Sequence, residues 1–133
     1  MKATRILIVE DNTDIADIVA RRLRLDAMEP SVCASGAAAK ELLARERFDA
    51  VLLDVMMPDV DGYEVLRHIR SMPALDDMPV IFLTSKGRRD DIERAYAMGA
   101  NAYVVKPFGP HDLVRTLRAC LGRARPAPPP NAI

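Results

Sequence analysis

The chain has 133 residues, enough for one globular domain with a continuous hydrophobic core. Half of the residues are hydrophobic and 29% are charged, which excludes a low-complexity or fibrous chain and is typical of a globular domain. Nineteen basic residues balance nineteen acidic ones, and this balance argues against direct nucleic-acid binding and a membrane-binding surface, because both need a basic excess.

Targeting and redox signals are also weak in this sequence. The segment before Glu10 lacks the long apolar core of a signal peptide, and no apolar run approaches the roughly 20 residues that span a bilayer. The two cysteines, Cys33 and Cys120, fit neither a disulfide framework nor a metal cluster, so we interpret them as small buried or half-buried hydrophobic side chains. From these features we expect a cytoplasmic protein with no membrane association.

The first half of the chain predicts three strands and two helices in alternation. Residues 6–9 are a continuous apolar run of strand length, and Asn12 can cap the helix that follows. A weaker strand candidate covers residues 30–34, and because its proline cannot donate a backbone hydrogen bond, this strand should be very short or at a sheet edge. The alanine-rich residues 37–45 predict a second helix, and residues 50–53 predict a further apolar strand.

The second half continues the same alternation with two strands and three helices. The third helix opens at Asp61 and the fourth at Asp90, where a negative charge is favourable beside the positive end of a helix dipole. Residues 80–83 and 102–105 predict the fourth and fifth strands, and the fifth helix opens near Pro110. Because the main strand runs are continuously apolar, both faces of the sheet should be covered by helices.

Five strand–helix units predict the fold class. A closed barrel needs eight such units, so right-handed crossovers in a chain of this size predict an open, doubly wound α/β fold with a five-stranded parallel sheet. We assign residues 1–122 to this domain. Residues 123–133 contain four prolines and no periodicity, and we expect them to be a Pro/Ala-rich tail or the start of a linker.

Polar side chains follow the predicted strands directly, and they share one position in the fold. All fall at the carboxyl ends of parallel strands, which form the ligand-binding edge of an open α/β sheet. These residues are Glu10, Asp11, Asp54, Thr84 and Lys106. Three carboxylates, a hydroxyl and a lysine at one edge indicate a common chemistry.

That chemistry is phosphoryl transfer onto a carboxylate. Three neighbouring carboxylates repel one another, and a Mg²⁺ ion would relieve this repulsion while leaving Asp54 ionised to attack phosphorus. Lys106 and Mg²⁺ would then share the charge of the phosphoryl oxygens, and the Thr84 hydroxyl would donate a hydrogen bond to them.

Four segments together resemble the receiver domains of two-component response regulators: VEDN at 9–12, LDVMMPDVDG at 53–62, LTSK at 83–86 and YVVKPF at 103–108. The match covers roughly residues 4–122, in the order and spacing of the family. The resemblance implies a flavodoxin-like fold with strand order 2-1-3-4-5. That order agrees with an edge position for the proline-containing strand.

The resemblance also implies roles for individual residues. Asp54 would accept a phosphoryl group from a phosphohistidine on a sensor histidine kinase or a histidine phosphotransfer protein. Asp11 and Asp54 would ligate Mg²⁺ directly, together with the backbone carbonyl of Met56, and Glu10 would bind the ion through water. Such a domain is a regulatory phosphoacceptor and not an enzyme, although it assists its own phosphotransfer and slow dephosphorylation.

The resemblance also implies which residues transmit the signal. Thr84 and Tyr103 correspond to the switch pair of the family: Thr84 is drawn toward the phosphoryl group, and the Tyr103 ring turns inward. This change alters the face made by the fourth helix, fifth strand and fifth helix, which binds a downstream protein or an output domain. The Lys106–Pro107 peptide bond is implied to be cis.

A phosphorylation-dependent homodimer through the same face is a further hypothesis. Arginines on the fourth and fifth helices and just before the fourth would supply ion pairs between the two copies. They are Arg88, Arg89, Arg94, Arg115 and Arg118.

Three other functions stay open at this point. A receiver-like docking module that is not phosphorylated would keep the same fold. A phosphatase with an aspartyl nucleophile usually needs a second acid two residues later, where this chain has Met56. A flavin or nucleotide carrier needs a phosphate-binding loop rich in Gly, Ser or Thr after the first strand, where this chain has Glu10 and Asp11.

Overall fold

The computed structural model describes residues 3–57, 59, 61–85 and 89–121, and in them five strands alternate with five helices. The strands are β1 (Thr4–Val9), β2 (Met28–Cys33), β3 (Ala50–Asp54), β4 (Val80–Thr84) and β5 (Ala102–Val105). The helices are α1 (Thr13–Leu25), α2 (Gly36–Arg45), α3 (Gly62–Ser71), α4 (Arg89–Ala97) and α5 (Pro110–Cys120). Residues 123–133, for which a tail or linker is expected, and Arg88 lie outside the described residues.

The five strands form one parallel sheet in the order β2-β1-β3-β4-β5. This confirms the predicted doubly wound α/β fold with strand order 2-1-3-4-5. Strands β2 and β3 lie on opposite sides of β1, so the direction of winding reverses between β1 and β3. A crevice therefore opens at the carboxyl ends of these two strands.

Strand β2 lies at the edge of the sheet, as its proline predicts, and pairs with β1. It covers Met28–Cys33 instead of the expected residues 30–34, so it is not a very short strand. Pro30 is aligned with Ile6 of β1. The strand begins earlier because Met28 and Cys33, its two end residues, are buried and anchor both ends against the core.

The sheet separates two hydrophobic layers, which explains the continuously apolar strands. Helices α1 and α5 cover one face, and α2, α3 and α4 cover the other. Successive strand residues face opposite layers: Leu52 packs in the α1/α5 layer and Leu53 in the α2/α3/α4 layer, and both are fully buried. An alternating strand would leave polar side chains in one of these layers.

Side-chain caps fix the starts of the first three helices. Asn12 accepts a hydrogen bond from the backbone N–H of Ile15 at 3.1 Å, and Asp61 accepts one from Glu64 at 3.0 Å, which confirms both predicted helix starts. Ser35 caps α2, which begins one residue earlier than expected, and α4 also begins one residue earlier, at Arg89. These starts place the following helices directly beside the carboxyl edge of the sheet.

The burial of both cysteines agrees with the prediction made from the sequence. Cys33 and Cys120 are both buried free thiols. Burial raises the pKa of the Cys33 thiol to about 11, so this side chain is a protonated hydrophobe at neutral pH. Within the described ranges, no helix is both long and apolar enough to cross a membrane.

Candidate functional site

Three carboxylates converge at the carboxyl ends of β1 and β3. One carboxylate oxygen each of Glu10, Asp11 and Asp54 lies within 4.8 Å of the other two. Glu10 and Asp54 are 1% and 4% exposed, whereas Asp11 is exposed. The acidic residues predicted from strand ends are therefore one cluster, with two buried members and one open to solvent.

Lys106 reaches into this cluster from the end of β5. Its Nζ lies 2.5 Å from Oε1 of Glu10 and 3.5 Å from Oδ2 of Asp54. The backbone N–H of Lys106 donates to the carbonyl of Thr84 at 2.7 Å, which fixes the lysine beside β4, and the Lys106–Pro107 bond is cis. One cation thus contacts both buried carboxylates.

The environment of Asp54 favours its protonated form. Burial raises the pKa of Asp54 to about 7, and the hydrogen bond and negative charge of Glu10 act in the same direction. Lys106 and the backbone N–H of Met56, which donates to Oδ1 at 3.1 Å, lower that pKa in part. A divalent cation beside these oxygens would favour the ionised carboxylate.

The oxygen atoms of this cluster suit Mg²⁺. Carboxylate oxygens are hard ligands, and Mg²⁺ commonly uses one or two of them together with water and phosphate. The buried Glu10 and Asp54 side chains are held by hydrogen bonds at the backbone, from Asn12 N–H to Glu10 at 3.3 Å and from Met56 N–H to Asp54. The exposed Asp11 leaves one side of the cluster accessible.

Thr84 and Tyr103, the predicted switch pair, are in contact. Thr84 is fully buried at the end of β4, and its side chain is hydrogen-bonded to the half-buried Tyr103 phenol. Burial raises the pKa of Tyr103 to about 12, so the phenol stays protonated. The Tyr103 ring packs edge-on against Phe82, with ring centres 6.2 Å apart.

Met56 lies in the loop after Asp54 and contributes in two ways. Its backbone N–H binds Asp54, and its side chain is 55% exposed beside the acidic cluster. The proposed role of its carbonyl as a metal ligand stays a prediction.

Two residues of the site were not predicted from the sequence. Gly62 directly follows the predicted helix start at Asp61, and a Cβ at this position would lie 2.6 Å from the Asp54 carbonyl oxygen and 2.8 Å from Val55 Cα. Asp59 accepts hydrogen bonds from the backbone N–H groups of Gly36 at 3.2 Å and Ala37 at 3.1 Å. The glycine lets α3 press against the strand that carries Asp54, and Asp59 ties the same loop to the start of α2.

The sequence model described as the response regulator receiver domain matches residues 6–118 of this chain. The chain belongs to this family. Receiver domains are regulatory modules of two-component signalling, and a phosphorylation switch is their general function. The acidic cluster, lysine and hydroxyl described above occupy the carboxyl edge of a receiver domain.

The chain is similar to two curated regulators of longer length. The chain is 37% identical over 122 residues to the response regulator MprA of Mycobacterium leprae, covering 92% of this chain and 53% of that protein. It is 33% identical over 118 residues to a probable transcriptional regulator, ycf29, of Porphyra purpurea, covering 89% of this chain and 56% of the relative. The chain thus spans about half the length of the curated relatives it matches.

Solved receiver structures confirm the fold. The chemotaxis response regulator CheY4 of Vibrio cholerae superposes with a TM-score of 0.86 at 29% identity, covering 90% of this chain and all of that one. The receiver domain of sensor histidine kinase PA1611 of Pseudomonas aeruginosa gives 0.84 at 33% identity, covering 92% of this chain and all of that one. That neighbour has a magnesium ion coordinated in its active site cleft.

Proposed function

We propose that this receiver domain accepts a phosphoryl group on Asp54 from a phosphohistidine of a sensor histidine kinase or histidine phosphotransfer protein. The observation that carries this proposal is the contact of one lysine with two buried carboxylates at the winding reversal, 3.5 Å from Asp54 Oδ2. An Asp54 oxygen forms the new bond to phosphorus, the phosphorus–nitrogen bond breaks, and the imidazole nitrogen leaves with the electron pair of that bond and takes up a proton.

The proposed metal ligands are Asp11, Asp54 and the Met56 carbonyl, with Glu10 acting through water. When bound, Mg²⁺ neutralises negative charge on the acidic cluster and on the phosphoryl oxygens. Asp11 supports this role because its carboxylate is the exposed member of the cluster and faces solvent, from which a hydrated ion arrives.

Lys106 and Thr84 would hold the transferred group. The Lys106 Nζ lies between Glu10 and Asp54, where it can bind a phosphoryl oxygen on Asp54. The Thr84 hydroxyl would donate to another oxygen, and the contact between Thr84 and Tyr103 would carry the change outward. The responding face consists of α4, β5 and α5.

The downstream partner is proposed to be another protein or an output domain. The chain covers only about half the length of two curated relatives, a response regulator and a probable transcriptional regulator. This receiver is therefore proposed to control an output carried outside its own residues, in the cytoplasm and without contacting nucleic acid itself.

Small phosphodonors test the proposal directly. Wild-type protein incubated with Mg²⁺ and acetyl phosphate should gain the mass of one phosphoryl group in an acid-stable, alkali-labile linkage, and Asp54→Asn should not. Asp77→Asn is the matched control, because Asp77 is exposed before β4 at the opposite edge of the sheet. Wild-type protein that stays unmodified under saturating donor would favour a docking module that is not phosphorylated.

A further inference from the structure

Tyr63 lies between the phosphoacceptor strand and helix α4. It follows Gly62, whose backbone is pressed against the carbonyl of Asp54 and whose N–H donates to the Val55 carbonyl at 2.8 Å. The Tyr63 side chain is 6% exposed and packs in the core layer under α2, α3 and α4. A shift of α4 relative to this edge of the sheet would therefore change the contacts of the Tyr63 ring.

Two contacts join Tyr63 to α4. The Tyr63 hydroxyl donates to the backbone carbonyl of Asp91 at 3.3 Å. The Arg94 guanidinium carbon lies 3.9 Å from the centre of the Tyr63 ring, within the range of a cation–π interaction. We call these two contacts the α3–α4 latch.

Helix α4 buries little apolar surface. Among its residues, 89–97, Ala95 is the one that is buried, whereas α3 buries five. A helix with few buried apolar contacts opens or shifts at low free energy. Its position is then set by a few specific contacts, including the Tyr96 phenol, which accepts the backbone N–H of Tyr103.

On its other side, the Tyr63 ring is linked to the switch residues through Phe82. The ring centres of Tyr63 and Phe82 are 5.3 Å apart with the planes at 90°, and Phe82 packs edge-on against Tyr103. Tyr103 in turn is hydrogen-bonded to Thr84. A continuous set of side chains thus runs from Arg94 on the surface of α4 to the Thr84 hydroxyl at the end of β4.

We infer that the α3–α4 latch holds α4 in the position that accompanies the Tyr103–Thr84 contact, so that Tyr63 and Arg94 are positioning residues of the switch. The inference rests on the proposed phosphoacceptor function. Loosening the latch should let α4 shift, and it should destabilise the arrangement of Thr84 and Tyr103 that a phosphoryl group on Asp54 requires. Arg94 would then act within its own chain, whereas the dimer hypothesis places it between two copies.

The test uses Arg94→Gln, with Arg89→Gln as the matched control. Arg89 lies on the same helix, and its guanidinium pairs with Glu93 in solvent. Hydrogen exchange of the α4 amides should be faster in Arg94→Gln than in wild type. Beryllofluoride with Mg²⁺ should bind about two- to fivefold more weakly, the factor expected for losing an exposed cation–π contact. Both measurements are made on protein that sedimentation shows to be monomeric, and Arg89→Gln should match wild type in each.

Conservative variants separate positioning from general structural support. Arg94→Lys keeps a cation over the ring and should restore most of the beryllofluoride affinity, while Tyr63→Phe keeps the ring, loses the bond to Asp91 and should weaken binding in the same direction. The melting temperature of Arg94→Gln should stay within the range of Arg89→Gln, because the residue is exposed.

Two results would overturn the inference, and a third would reject the proposed function. Unchanged α4 exchange in Arg94→Gln would show that there is no latch. Faster exchange with an affinity equal to or tighter than that of wild type would disconnect the latch from the switch and overturn the inference. Wild-type protein that binds no beryllofluoride would instead reject the proposed function, and the inference with it.

Discussion

The buried carboxyl group of Asp54 makes the stability of this protein depend on pH. Its pKa is about 7 in the folded state against 3.8 for an ordinary aspartate side chain in water, chiefly because of burial. Between these two values the folded protein holds a proton that the unfolded chain has released. A state that holds more protons loses relative stability as pH rises. Because of this group, the free energy of unfolding therefore falls as the pH rises from about 4 to about 7.

Replacing this carboxyl by an amide should remove that dependence. In EDTA, Asp54→Asn should be more stable than wild type at pH 8, and the difference should shrink at pH 5, where the wild-type carboxyl is neutral. Urea unfolding of both proteins across this range measures the effect. Parallel pH profiles for the two proteins would contradict the buried, proton-binding environment of Asp54.

Gly62 is a second residue whose substitution should change the stability of the fold. Alanine is the better helix former by about 1 kcal/mol, but its Cβ would meet backbone atoms of Asp54 and Val55 at 2.6 and 2.8 Å. Backbone atoms cannot move aside as a side chain can, so strain outweighs propensity and Gly62→Ala should destabilise the fold by about 1–3 kcal/mol. Chemical denaturation would measure the loss.

A second glycine provides the control for Gly62→Ala. Gly109 lies one position earlier relative to its helix, as the N-cap of α5, and a Cβ there would meet only the Asp112 carboxylate at an ordinary 3.5 Å. Gly109→Ala should therefore cost less than Gly62→Ala, because its loss is limited to that of exchanging glycine for alanine at an N-cap. Equal losses in both variants would mean that the close approach of α3 to β3 is not what requires Gly62.

Sequence reasoning at the residue scale succeeded where a role follows from position along a strand. Asp54, Thr84 and Lys106 follow apolar runs, and parallel strands bring such positions to one edge. It missed Gly62 and Asp59 because their roles depend on distances between separate backbones. Asp59 binds the start of α2, 22 and 23 residues earlier in the chain, and no local pattern encodes that contact.

At the scale of elements, Arg70 joins three segments around the end of α3. Its guanidinium donates to the carbonyls of Asp76 and Met78 before β4, to the Gly99 carbonyl after α4, and to the Asn101 side chain before β5. Gly99 has φ of +104°, and a Cβ there would lie 3.0 Å from the Arg70 Nε. A single side chain thus fixes the entry to β4 and the turn between α4 and β5.

Removing the half-buried Arg70 side chain should destabilise the fold more than a typical substitution near the surface does. Arg70→Ala leaves several half-buried carbonyls without this donor, and we expect a loss of about 2–3 kcal/mol. Arg67→Ala, at an exposed position on the same helix, should cost less than about 0.5 kcal/mol. Thermal and urea unfolding of both variants would test this, and similar losses would remove the assigned role of Arg70.

Element boundaries show where local patterns stop being sufficient. The proline predicted that β2 is an edge strand, but its start at Met28 depends on pairing with Thr4 of β1, so the expected start at Pro30 was two residues late. For α1 and α3 the caps at Asn12 and Asp61 are encoded within three residues, and both starts were predicted correctly. A helix start that is set by a cap in its own first turn is predictable, whereas a strand start that depends on pairing with another strand is not.

For the whole molecule, metal binding should stabilise the fold through the acidic cluster. A ligand that binds only the folded state adds about 2.7 kcal/mol at a hundredfold excess over its Kd, so Mg²⁺ should raise the melting temperature of the wild type. Asp11→Asn should abolish this increase, because its carboxylate belongs to the proposed ligand set, while Asp77→Asn should retain it. A full Mg²⁺ response in Asp11→Asn would exclude the proposed site.

The homodimer hypothesis also belongs at this scale. The candidate arginines within the described residues already have partners in their own chain: Arg89 with Glu93, Arg94 with Tyr63, Arg115 with Asp112 and Arg118 with Asp26. Exposed ion pairs contribute little, so exchanging those of Arg89, Arg115 and Arg118 for partners in a second copy costs little. Beryllofluoride should raise the mass measured by sedimentation equilibrium, and an unchanged mass would end the hypothesis.

The ion pair between Lys106 and Glu10 joins residues 96 positions apart in the chain. Lys106 follows β5 and Glu10 follows β1, and two other strands lie between them in the sheet. A chain emerging from the ribosome therefore presents its acidic residues well before the lysine that completes the site. If Asp54 accepts a phosphoryl group with the help of Lys106, as proposed, a nascent chain that has not yet reached β5 should be unable to accept it.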